Sequence, residues 1–178
     1  MALTATIFNF DIDLSDTDGN VYETLSVRMA QHPSESDEYL VARLLAYLLE
    51  YEEGITFSRG VSEPEEPTIS VRDLTGVIRT WIEIGTPDAA RLHKASKTGA
   101  RVAVYCHKEG AQWLKGLAAA GIHKADALQL FALDRALIAQ LAARLDRRMS
   151  FSVSISDREF YISIGNDNLS GAVEALQI

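Results

Sequence analysis

Apolar and polar residues alternate from the start of the chain. Phe8, Phe10, Ile12 and Leu14 fall on one face of a first run, and Val21, Leu25 and Val27 on one face of a second. A period of two marks a strand with one buried side. Between the runs, residues 15–20 (SDTDGN) are turn-formers, so a hairpin is expected over about residues 3–28. Gly19 invites comparison with a calcium loop. That alignment puts Leu14 and Leu25 where carboxylates are required, so a plain turn is expected.

The period then changes. Val41, Leu44, Leu45 and Leu48 form a helical stripe that Ser34 or Ser36 can cap and Gly54 closes. Short strands at 55–58 and 68–72 flank a loop rich in Glu and Pro at 61–67. Asp73-Leu74-Thr75-Gly76 has the residues of a type I turn. Residues 77–84 read as a strand, with Ile78, Ile82 and Ile84 on one face and Arg79, Trp81 and Glu83 on the other. Gly85 breaks it. Thr86 and Pro87 suit the start of a helix to about Thr98, with Leu92, Ala95 and Gly99 inward. Arg101–Cys106 reads as a buried strand. A helix at 111–120, a strand at 128–133, a helix capped by Asp134 and ending near Leu145, and a closing hairpin over 150–164 complete the chain.

Residues 36–106 thus run helix, strand, strand, strand, helix, strand. A hairpin followed by a crossover helix makes a mixed β-sheet with flanking helices, of α/β (α+β) class. The hairpin at 3–28 and the strands and helix at 126–165 are then elaborations. No repeat or linker interrupts the chain, so a single domain over 1–178 is expected.

Composition narrows the class. The 178 residues are 47% apolar and 24% charged, which excludes disorder and fibres. No apolar run approaches the roughly 20 residues of a membrane span, and no signal-peptide pattern opens the chain. A soluble, cytoplasmic protein without a membrane partner is expected. The one cysteine, Cys106, excludes an internal disulfide and a cysteine-built zinc site. The net charge of −8 opposes phosphate binding. It is unevenly spread: −11 over residues 1–86, +4 over 87–116 and −1 over 117–178.

Glu83 is the candidate for chemistry, because a carboxylate on a central strand needs a partner or a metal. If Leu74 and Thr75 form the turn, register places Glu66 opposite Glu83. It leaves Asp73 at the turn, roughly 20 Å away. Glu38, in the first turn of the first helix, lies at the edge of the apolar stripe, with Glu35 further round. Arg91 and Lys94 lie one turn apart on the crossover helix, and Lys94 returns to the level of Glu83. The wheel turns Lys94 outward and brings Arg91 closer. A buried ion pair of Glu83 with Arg91 or Arg79 is the structural alternative. The four histidines have no metal-ligand spacing, and no phosphate loop or nucleophile elbow is present.

The segments MALTATI, HPSESDEYLVARLLAYL, FSRGVS, EPEEPT, WIEIGTPDAARLHKA and DRRMSFSVSI resemble the YaeQ family of bacterial proteins over essentially the whole chain. The resemblance implies a PD-(D/E)XK restriction-endonuclease-like core at about 36–106. It implies a metal-dependent nuclease-like protein acting on phosphodiesters of DNA or RNA, with Mg²⁺ or Mn²⁺ and no organic cofactor. Carried over, Glu83 is the second acid of the motif, with Glu66, Glu38 and the backbone carbonyl of Ile84 as further ligands. Lys94 or Arg91 then serves as the basic group. The sequence departs from the motif at Thr68, where an Asp is expected, and at Gly85, where a lysine is expected. These departures motivate the alternative, a non-catalytic interaction or regulatory protein on a degraded nuclease scaffold, tied to transcription. Nucleic acid or a protein is the expected partner.

Overall fold

A computed structural model describes residues 4–58 and 65–178; residues 61–64 of the loop expected at 61–67 lie outside them. In chain order the elements are β1 (Thr6–Asp16), β2 (Val21–Gln31), α1 (Asp37–Leu49), β3 (Ile55–Phe57), β4 (Ile69–Arg72), β5 (Ile78–Ile84), α2 (Ala89–Ser96), β6 (Arg101–Cys106), α3 (Ala111–Ala119), β7 (Gln129–Leu133), α4 (Arg135–Ala142), β8 (Arg148–Ser156), β9 (Glu159–Ile164) and β10 (Asp167–Leu176). The fold is mixed α+β, and the chain divides into two compact units.

The first unit takes residues 4–49 and 133–173. Its strands run β2-β1-β8-β9-β10. The expected N-terminal hairpin is present, with Thr6 opposite Gln31 and Asp16 opposite Val21. Strand β1 also pairs β8 in parallel, which places the N-terminal hairpin and the β8–β9 hairpin in one sheet. One face buries Phe10, Ile12, Leu14, Val153, Phe160 and Ile162. Helix α1 begins where Ser36 Oγ accepts the Tyr39 N–H, as the sequence implies. It packs against α4, which Asp134 caps through the Leu137 N–H. Strand β10 was not expected. Its buried positions, Leu169, Gly171 and Val173, carry too little apolar mass to announce it. Gly171 is required there, because a Cβ would lie 2.8 Å from Asp134 Cβ and 2.9 Å from Leu137 Cβ.

The second unit takes residues 50–132 and 174–178, with strands in the order β7-β6-β5-β4-β3. Strands β5, β6 and β7 are parallel, and β3, β4 and β5 antiparallel. Helix α2 is the crossover between β5 and β6. It starts two residues later than Thr86 and Pro87 suggest, because Asp88, not Thr86, accepts the Arg91 N–H. Trp81, Leu92, Ala95, Val102, Val104, Leu117 and Leu130 form the core on this side of the sheet.

The β4–β5 register differs from the expected one. Asp73 N–H bonds the Val77 carbonyl at 3.0 Å, so the turn is one residue wider than supposed. A bulge between Val71 and Arg72 adds a second shift, giving Ile69 opposite Ile82 and Ser70 opposite Trp81. Continued by one residue, this puts Thr68, not Glu66, opposite Glu83.

Candidate functional site

Strand alternation sends Trp81 and Glu83 to the same face of β5, beside Val102 and Val104 of β6. That face is covered by α2, so Glu83 is only 3% exposed. Burial of an ionised carboxylate demands compensation, and three side chains supply it. Trp81 Nε1 donates to Glu83 Oε1 at 2.7 Å. Arg91, in the first turn of α2, places Nη2 2.8 Å from the same oxygen. Thr68 Oγ1 donates to Oε2 at 3.1 Å. Arg91 Nη2 also reaches the Glu66 carbonyl at 2.8 Å, fastening the chain before β4 to the helix. The cluster is thus a charge-neutral brace that links the β4–β5 hairpin to α2.

The other candidates lie elsewhere. Lys94 Nζ pairs with Glu65 at 2.5 Å, and no bond joins it to Glu83. Glu66 meets Arg91 through its backbone. Ile84 ends β5 opposite Tyr105. Glu38 is exposed in the first turn of α1, where a negative charge favours the helix dipole. Glu35 forms a buried pair with Arg43 at 2.8 Å. Asp73 stays at the turn: it accepts from the Thr75 N–H and hydroxyl, the Val77 N–H and Arg79 Nε. Those bonds, the Thr75 hydroxyl first, lower its pKa to about 2. Arg79 is thereby committed to Asp73, so Arg91 is the partner of Glu83.

Among the described residues, no three His, Cys, Asp or Glu side chains converge as a metal-holding group. Glu83 also fails the donor test for Mg²⁺ or Mn²⁺ on its own account. Hard divalent cations take several oxygens, whereas Oε1 faces an indole N–H and a guanidinium. Gly85 holds φ +94°, which a lysine would adopt only under strain.

Two further ion pairs escaped sequence reasoning. Arg43 stands inside the apolar stripe of α1, a position that calls for a partner, and Glu35 answers it while also accepting the His32 N–H. Glu50, just past α1, accepts the Tyr105 hydroxyl at 2.5 Å and pairs with Arg101. Nothing local in the sequence links Glu50 to either.

These features define a two-unit α+β protein with a braced buried carboxylate. The family described as YaeQ protein matches residues 1–173. The chain is 33% identical to the uncharacterized protein YaeQ of Escherichia coli (strain K12), over 99% of this chain and 98% of that one. It is 32% identical to the Salmonella typhi protein of the same description, with the same coverage. The crystal structure of YaeQ from Xanthomonas axonopodis pv. citri superposes with a TM-score of 0.88 at 34% identity, covering 98% of this chain and 99% of that one. That of Pseudomonas syringae YaeQ gives 0.88 at 28%, covering 98% and 97%. The chain belongs to the YaeQ family. Among the described residues, no helix is long and apolar enough to cross a membrane.

Proposed function

We propose that the protein is a non-catalytic interaction protein on a nuclease-like scaffold, in which Glu83 is a structural brace rather than a metal ligand. The supporting observation is the set of internal partners that Glu83 already holds. Both oxygens are engaged, and a guanidinium neutralises the charge that would attract a cation. The competing reading is a metal-dependent nuclease acting on DNA or RNA, with Glu83 as ligand and Lys94 or Arg91 as the basic group. It requires Arg91 to leave a buried carboxylate, which opposes metal entry by the strength of that pair.

Two measurements separate the readings. Calorimetric titration with Mn²⁺ should give no heat that Glu83→Gln abolishes. Incubation with single- and double-stranded DNA and RNA in Mg²⁺ or Mn²⁺ should give no cleavage above that of Glu83→Gln. Cleavage that this variant loses while keeping its circular dichroism spectrum would overturn the proposal.

A further inference from the structure

The solvent face of the β2-β1-β8-β9-β10 sheet carries two central aspartates and a run of serines. Aspartate is depleted from strands, yet β1, held between two neighbours, exposes Asp11 and Asp13. Strand β8 exposes serine at 150, 152, 154 and 156. Such conflict between local preference and fold collects at functional sites.

Register orders these residues into rows. Ser15 stands opposite Tyr22 on β2 and Ser154 on β8, and Ser154 stands opposite Tyr161 on β9. The two tyrosines, 59% and 48% exposed, therefore end one row. Three strand spacings separate them, roughly 14 Å. In the adjoining row Asp13 stands opposite Thr24 and Ser152. The Tyr161 hydroxyl bonds Glu159 at 2.9 Å, which fixes one ring in advance of a ligand. Two aromatic platforms with hydroxyl and carboxylate groups between them match a chain of sugar rings, apolar on its C–H faces and hydroxylated at its edges.

Charge selects among chains. The carboxylates of Asp13 and Asp11 accept from Thr24 and Ser26 at 3.0 Å, and among the described residues no ion pair reaches either one. Arg28 and Arg148 flank Asn9 one row beyond Asp11, but no basic residue stands in the row of Asp13 or in the row on either side of it, so the charge beside the tyrosines disfavours phosphate and uronate polymers. An ionised carboxylate still has acceptor capacity for hydroxyl donors. We propose that this face binds a neutral glycan laid across the strands, its rings stacked on Tyr22 and Tyr161 and its hydroxyls bonded to Asp13, Ser15, Ser152 and Ser154. The proposal is independent of the role of Glu83.

The test is native electrophoresis of the full chain in gels cast with hydroxyethylcellulose, arabinoxylan, soluble starch or glycol chitin. Calorimetry follows, with the hexasaccharide of whichever polymer retards it. At least one polymer should retard the protein. Tyr22→Ala and Tyr161→Ala should each weaken binding about fivefold or more, Tyr22→Phe should retain it, and Leu74→Ser in the other unit should leave it unchanged. Retardation by none of the four, alanine variants that bind like the parent, or binding confined to heparin or polyuridylate would each overturn the proposal.

Discussion

Replacing Glu83 by alanine tests whether the buried cluster holds the second unit together. The substitution removes the acceptor of the Trp81 indole N–H, the acceptor of the Thr68 hydroxyl and the counter-charge of Arg91. Breaking a buried ion pair from one side costs about 3–5 kcal/mol. The Arg91 side chain is 27% exposed and can turn partly to water, which favours the lower end. An orphaned buried N–H adds about 1–3 kcal/mol, so about 4–6 kcal/mol is expected in all. For a chain of this length that corresponds to a fall in Tm of about 8–24 °C. Differential scanning calorimetry of Glu83→Ala, Arg91→Ala and the double variant checks both size and coupling. The double variant should be less destabilised than the sum of the singles, because the charge left by each is gone. Carboxylates gathered for a ligand behave oppositely: relieving their repulsion stabilises the empty protein. A Tm for Glu83→Ala equal to or above the parent's would therefore refute the brace.

Asp73 makes a pH prediction. Its folded pKa is lowered from 3.8 to about 2, so its contribution is complete above pH 3.8 and is lost as pH falls through about 2. Urea midpoints of Asp73→Ala and the parent should differ at pH 5 and converge toward pH 2; a constant gap sinks this assignment. Gly171→Ala pushes a Cβ to 2.8 Å from Asp134 Cβ, and overpacking of this kind costs about 1–3 kcal/mol, read from thermal melts. Gly54→Ala drives a Cβ to within 2.2 Å of the Arg72 carbonyl at φ +92°, and it should lower Tm at least as much.

How far the sequence discloses this molecule depends on the range of each interaction. The hairpin of β1 and β2, the α1 stripe and the crossover β5-α2-β6 are legible because period and caps are local signals. The parallel pairing of β1 with β8 is not, because residues some 140 positions apart leave no shared pattern. The Glu83–Arg91 pair was open as one of two options, and only the commitment of Arg79 to Asp73 decides it. Glu66 was misplaced for a specific reason. Gly76, at φ +88°, widens the turn by one residue and a bulge adds another. A register counted from an ideal turn inherits both errors, and in a sheet even a shift of one changes which side chains meet.

Thr68, Gly85 and Arg91 together set the surroundings of Glu83. The nuclease pattern implied by the family resemblance calls for an aspartate at 68, which would set a second carboxylate beside Glu83 and favour a metal or a proton. A threonine there donates instead, at 3.1 Å. The lysine implied at 85 would add a mobile charge. Glycine stands there, and Arg91 delivers a positive charge from α2. Thr68, Trp81 and Arg91 leave Glu83 with a partner at each oxygen and a counter-charge. Thr68→Asp replaces one of these partners with a second carboxylate and so tests the arrangement. Two carboxylates against one guanidinium should lower Tm by several degrees in EDTA, through like-charge repulsion in a buried site. If the scaffold retained a latent metal site, 5 mM Mn²⁺ would restore the loss, since a ligand held only by the folded state stabilises it by mass action. The brace predicts no restoration, because Arg91 already occupies the position a cation would take. A rise of several degrees with Mn²⁺ in Thr68→Asp, absent from Thr68→Asn, would show that the metal reading describes the site better than the ion pair does.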